Sequence, residues 1–144
     1  MEADLRTDIF LREEKRTPRE AAQLPPLVLA FLGDGVFELF IRTYHMGRPA
    51  KVHQLHQKTA AIVKAQTQAK LVKDLEAMMT GEEAGVFRRG RNAQSKTMAK
   101  NASVSDYRYA TGFEALLGYL YISGQNQRLK DYFDAIERMI EGEG

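Results

Sequence analysis

From Leu27 to Met46 the chain reads LVLAFLGDGVFELFIRTYHM, and this segment restricts the fold more than any other. It is too long for an ordinary strand and lacks strict alternation of apolar and polar residues, so its pattern predicts a helix. Apolar residues fall on nearly every side of that helix, with Phe31, Leu32, Phe37, Phe40 and Ile41 pointing in several directions. A helix of this kind needs cover all round, from its own domain or from a second subunit. Pro25 and Pro26 suit its first turn, and Gly47 and Pro49 close it.

The remainder also reads as helical. Residues 51–79 carry Leu55, Ile62, Leu71, Leu75 and Met78 near helical spacing with no Gly or Pro, which predicts one long helix ending at Gly81. A short helix is expected over 82–89. GRNAQSKTMAKNAS at 90–103 has no apolar periodicity and reads as a polar, basic loop. Ser103 or Ser105 is suited to cap the next helix, which runs to about Ser123 and contains YRYATGFEALLGYLYI. A last helix is expected from about Arg128 to Glu141. No strand pair or repeat is evident. The expected fold is therefore all-α with five to seven helices, arranged as an arm over 1–22 and a main domain over 23–144.

Composition narrows the chemistry. The 144 residues suit one domain, and the lack of cysteine removes disulfides, zinc–thiolate sites and thiol nucleophiles. No apolar run is long enough to span a bilayer and the N-terminus does not resemble a signal peptide, so a soluble cytoplasmic protein without a membrane partner is expected. Net charge is only +2, but it is unevenly spread. Between Lys51 and Lys73 there are five lysines and no acid; between Arg88 and Arg108 six basic residues face one Asp. Such segments are either solvated helix faces or a polyanion-binding surface.

Two acids stand out by their surroundings. Asp34 lies in FLGDGVF and Glu114 in GFEALLGYLYI, both within helices expected to be largely buried. An unpaired buried carboxylate costs several kcal/mol, so it needs a partner or a cation. Gly33 and Gly35 flank Asp34, and each costs a helix interior about 1 kcal/mol relative to Ala, which suggests that another helix approaches closely there. The alternatives are a salt bridge or cap for Asp34 and an ion pair with Arg108 or Arg42 for Glu114. Glu38, one turn after Asp34, suits a supporting role or a pair with Arg42. Oxygen-only ligands select Mg2+, or Mn2+, and such an ion promotes in-line phosphodiester displacement. Other chemistries are poorly supplied. His53 and His56 lack a third ligand, and neither a phosphate-binding Gly-rich loop nor a serine elbow is present. The aromatic set Phe113, Tyr119 and Tyr121 sits at helical spacings and is expected in the core.

FLGD at 31–34 resembles the core of the ribonuclease III signature, and FEALLGYLY at 113–121 resembles that family's second acidic helix. RRGRNAQSKT at 88–97, KN at 100–101 and YRYATGFEALLGYL at 107–120 are together similar to the compact Mini-ribonuclease III branch, which lacks a separate double-stranded-RNA-binding domain. The resemblance implies a homodimeric, magnesium-dependent endonuclease for double-stranded RNA, active in maturation of large-subunit (23S) ribosomal RNA. It makes Asp34 and Glu114 the catalytic, metal-binding carboxylates. Full-length ribonuclease III has two further acids where this chain has Ala30 and Thr111; Thr111, with Glu38, is assigned a supporting role. RNA contacts are expected from Arg88, Arg89, Arg91, Asn92, Ser95, Lys96, Lys100, Asn101 and Arg108, since Arg and Lys suit phosphates and Asn and Ser suit 2′-hydroxyls. Phe31, Phe37 and Phe40 are expected at the dimer interface. Two other classes stay open: a non-catalytic RNA-binding or ribosomal protein on the same fold, and a helical protein-interaction module.

Overall fold

Helix α6, Val104–Ile122, is the spine against which nearly everything else is packed. Ser103 starts it, its hydroxyl accepting from the Asp106 N–H at 3.0 Å. From Ala110 to Leu120 every side chain except that of Glu114 is buried. In this computed structural model, residues 16–47, 49–93 and 103–142 are described. Among them there are seven α-helices and no strand: α1 (Pro18–Ala22), α2 (Pro26–Met46), α3 (Val52–Val63), α4 (Ala65–Leu75), α5 (Gly81–Asn92), α6 and α7 (Asn126–Gly142), with a 3₁₀ turn at Glu76–Met78 between α4 and α5.

Helices α2, α4 and α5 surround α6, and α7 and α1 cover its remaining sides. The inward residues of α2 are Leu29, Ala30, Gly33, Phe37, Ile41 and His45, a stripe spaced by four that turns one side of the helix to the core. Phe113 and Phe37 meet edge to face at 5.7 Å in that core. The opposite side of α2 is uncovered: Leu27, Val28, Phe31 and Leu39 are exposed, with Phe31 83% accessible. Full burial of a large apolar side chain contributes roughly 1.5–3 kcal/mol, so the fully buried Phe37, Phe113, Leu116, Leu117 and Leu120 make the surroundings of α6 the firm part of the molecule.

Glycines set how close these helices come. A methyl group on Gly33 would overlap the Glu114 carbonyl, and one on Gly118 would overlap the Leu29 carbonyl. Backbone therefore lies directly on backbone where α2 crosses α6. The α5–α6 contact repeats the device, since a Cβ on Gly112 would stand 2.7 Å from the Phe87 carbonyl and one on Gly90 2.7 Å from Ala115 Cβ.

The single helix expected over 51–79 is two helices and a 3₁₀ turn. The chain turns at Lys64, which is extended (φ −68°, ψ 150°) although no Gly or Pro marks it. Side chains compensate the break: Thr67 Oγ1 donates to the Ala61 carbonyl at 2.8 Å, and Gln68 Nε2 donates to that of Val63 at 2.6 Å. The short helix expected at 82–89 is longer, running from Gly81 to Asn92 behind a Thr80–Glu83 capping box. Residues 18–22, within the expected arm, form α1, with Ala21 fully buried and the Arg16 N–H donating to the Ile122 carbonyl at 3.1 Å. No helix is long and apolar enough among the described residues to cross a membrane.

Candidate active site

Where α2 crosses α6, the Gly33–Gly118 contact brings Asp34 and Glu114 side by side. The two carboxylates share a hydrogen bond, and Glu114 also accepts from Gln68 Nε2 at 3.3 Å. Their surroundings are not alike. Asp34, expected in a buried setting, is exposed, because Gly33 and not Asp34 faces α6; Glu114 is half-buried. The Glu114 carboxyl is pushed up to about 8, first by burial, then by the Asp34 charge and their shared hydrogen bond, against a lowering effect from Gln68. Near neutral pH and without a cation, the pair therefore holds a proton. Two carboxylates that strain against each other in this way are complementary to a positive ion.

The donor set fits a hard divalent cation. Asp34 and Glu114 offer carboxylate oxygens, and the buried Gln68 Oε1 has no hydrogen-bond partner. No cluster of three or more His, Cys, Asp or Glu occurs among the described residues, so the acidic contribution is the pair itself. Glu38 pairs instead with Arg42 at 3.4 Å. Thr111 is buried, its hydroxyl donating back to the Tyr107 carbonyl at 2.9 Å.

The profile of the Ribonuclease III domain matches residues 27–125, most of the chain and all of the α2–α6 crossing. The chain belongs to the ribonuclease III family. Its relatives place it on the compact branch. It is 44% identical to a Mini-ribonuclease 3 of Clostridium tetani over 134 residues, covering 92% of this chain and 88% of that one. It is 46% identical to one from a Thermoanaerobacter species, covering 92% and 94%. A crystal structure of a Fusobacterium nucleatum protein superposes with a TM-score of 0.76 at 29% identity, covering 85% of this chain and 96% of that one. The chain is accordingly an endoribonuclease of the ribonuclease III type.

Within this ribonuclease III domain the expected RNA-contacting residues divide. Arg88, Arg89, Asn92 and Arg108 are exposed. Arg89 is tethered, one guanidinium N–H donating to the Ala22 carbonyl at 3.3 Å. Arg91 lies over the rings of Phe87 and Tyr109, with its carbon 5.7 and 5.9 Å from their centroids. Ser95, Lys96, Lys100 and Asn101 lie outside the described residues. Lys73, which sequence reasoning did not single out for RNA, sits 5.6 Å from the same Tyr109 ring, so Tyr109 gathers two cations from separate helices.

The three phenylalanines expected at a subunit interface also divide. Phe37 is fully buried and belongs to the core, because its place on α2 is one turn beyond Gly33 on the inward stripe. Phe40 stacks on Phe133 of α7 with centroids 4.0 Å apart. Phe31 stands in solvent, on the same side as Leu27 and Leu39. Gln68 was missed: a neutral residue in a helical run carries no sign that a break at Lys64 will carry it to the acidic pair.

Proposed function

We propose that the chain is a magnesium-dependent endoribonuclease, able to use manganese, that cleaves double-stranded RNA as a cytoplasmic homodimer in maturation of large-subunit (23S) ribosomal RNA. The observation that carries this reading is the convergence of Asp34 and Glu114, with Glu114 raised to about 8 by burial and by its neighbour's charge. A carboxylate kept in that condition is poorly placed for stability and well placed for a cation. Such a cation supplies a Lewis acid for phosphoryl oxygens and lowers the pKa of an attacking water. The chain's own part is to hold both carboxylates at a crossing too close to shift, and to present Arg88, Arg108 and the Lys73–Tyr109–Arg91 group to the RNA backbone.

The homodimer is supported by the uncovered side of α2. Leu27, Val28, Phe31 and Leu39 are exposed there, next to a groove of about 690 Å³ lined by Leu32, Gly35, Val36, Leu39, Phe40 and Phe133. Gly35 has open space where a side chain would stand, room that a second copy would use. A two-fold interface brings the same patch from each subunit, and two sites so related can cut both strands of a duplex. Replacing Phe31 by Asp is expected to yield monomers by light scattering, with loss of double-strand cutting. A micromolar monomer of the unchanged protein that still cuts both strands removes the dimer from the proposal.

The decisive assay is incubation of the purified chain with long double-stranded RNA, with and without Mg2+, and then with precursor 23S ribosomal RNA. Metal-dependent shortening of duplex but not of single strands supports the reading. Binding of duplex without cleavage under all metal conditions overturns it.

A further inference from the structure

Gln68 is a buried, uncharged polar side chain in direct contact with the acidic pair, and its geometry is tightly constrained. It is 2% exposed, held in place by the break in the chain at Lys64. Its Nε2 donates to two acceptors, the Val63 carbonyl at 2.6 Å and Glu114 Oε2 at 3.3 Å. Both amide hydrogens are therefore spent. Exchanging the amide ends would set two oxygens against each other at Val63, so the orientation is fixed. The amide oxygen is left buried with no partner. An orphaned buried acceptor costs stability, and a protein interior rarely keeps one without use.

Nothing in the fold requires an amide oxygen there. The C-terminal carbonyl of α3 needs only the donor, as does Glu114. The partner it lacks is a hydrogen-bond donor or a cation, and the carboxylate pair that the same amide already touches through Nε2 is where one would be supplied. A hard divalent ion that keeps most of its hydration supplies such donors at its coordinated waters.

We propose that Gln68 is a positioning residue of the metal site, its Nε2 fixing Glu114 while its Oε1 accepts a hydrogen bond from a water in the cation's hydration shell. This inference rests on the metal-dependent reading above. It adds to that reading a residue that neither the acids nor the basic surface would suggest. Groups in this outer position are expected to alter cation affinity by about 10- to 100-fold without changing which atoms react.

The test is a calorimetric titration of the metal-stripped chain with Mn2+, beside the Gln68→Met variant, which keeps the length and apolar stem but removes both polar ends. We expect the variant to bind Mn2+ at least about tenfold more weakly, and its cleavage rate to return toward that of the unchanged enzyme at saturating metal. A purely structural role predicts a lower melting temperature with Mn2+ affinity within about twofold of the unchanged chain, and that result overturns the proposal. A second measurement needs no variant. In the unchanged protein, labelled with 13C at glutamine and glutamate, the Gln68 side-chain carbonyl carbon should move downfield on Mg2+ addition with the same saturation curve as the Glu114 carboxyl carbon. If Glu114 responds and Gln68 does not, the inference about Gln68 fails alone. If neither responds and no heat of Mn2+ binding is seen, the metal reading itself fails.

Discussion

Two glutamates in this molecule, Glu83 buried and Glu114 half-buried, are treated in opposite ways. Glu83, 2% exposed at the start of α5, is provided with partners on every side. Arg128 meets it with two N–H donors at 2.8 Å each, Tyr132 donates its hydroxyl at 2.6 Å, and the Thr80 N–H donates at 3.0 Å. Burial pushes its carboxyl up, but these hydrogen bonds and the Arg128 charge together bring it below the ordinary value. Arg128 gives another donor to the Met78 carbonyl, so the same ion pair ties α7 to the 3₁₀ turn. Glu114, on the central helix, has one amide donor and another carboxylate, and is pushed up to about 8. A fold able to satisfy Glu83 so fully leaves Glu114 short of positive charge. That contrast separates a carboxylate that serves the structure from one left for the chemistry proposed above.

Exchanging the carboxylates for amides tests the contrast most severely. Asp34→Asn or Glu114→Gln should reduce cleavage of double-stranded RNA by more than about a hundredfold, since loss of mere outer-shell groups already costs about 10- to 100-fold. Melting temperature in the absence of metal should stay level or rise, because a repulsion has been removed. A drop of several degrees with activity retained would place Glu114 in the same category as Glu83.

Arg128→Met should behave in the reverse sense. Leaving Glu83 buried and unpaired costs about 3–5 kcal/mol, a fall in melting temperature on the order of 10 °C. The fraction that remains folded should bind Mn2+ with unchanged affinity. Weakened Mn2+ binding in that folded fraction would connect the two glutamates and blur the distinction.

Acidity separates them by sign. Glu114 binds its proton more tightly folded than unfolded, so between the ordinary value of 4.5 and about 8 the metal-free folded chain holds a proton that the unfolded chain has released. Its contribution to stability is present below that window and is lost as pH rises through it, with a slope of at most about 1.4 kcal/mol per pH unit. Glu83 has the opposite slope: its contribution is present above pH 4.5 and disappears as pH falls below it. Metal-free melting curves from pH 4 to 9 should show both arms. Glu114→Gln should flatten only the alkaline arm, and Mg2+ should flatten the same arm by displacing the proton.

The smallest effect is expected where charge is paired in open solvent. Lys130 and Asp134 meet at 2.9 Å on the surface of α7, one helical turn apart. Removing that pair should change stability by no more than about 0.5 kcal/mol, measured by denaturant titration. A larger change would mean that proximity of charges, and not burial, governs stability in this chain.

Local pattern made α2 and α6 legible from the sequence, since proline entry, glycine exit, the Ser103 cap and an apolar spacing near four act within a few residues. It left the break at Lys64 unreadable: nothing in KAQTQ punctuates the chain, and what holds the turn is side-chain contact with α3 and with Glu114. Phe37 and Phe31 look alike in the sequence, and only the position of Gly33 decides which one faces inward. The Glu83–Arg128 pair spans 45 residues and leaves no periodic trace. Both catalytic candidates were visible as acids in apolar company, but their meeting was supplied by family resemblance, because spacing along a chain does not specify a crossing between helices.

The backbone contact at Gly33 and Gly118 also bears on how the family signature should be interpreted. The FLGD tetrapeptide joins two independent requirements in neighbouring letters: a glycine demanded by the approach of another main chain, and an acid that the proposed reaction needs. A descendant that had abandoned nuclease activity would be released from the second requirement and still bound by the first. Preservation of the glycines in a distant relative therefore diagnoses shared architecture, whereas on the proposed mechanism the letters at 34 and 114 would distinguish a working nuclease from an inert heir of the same scaffold.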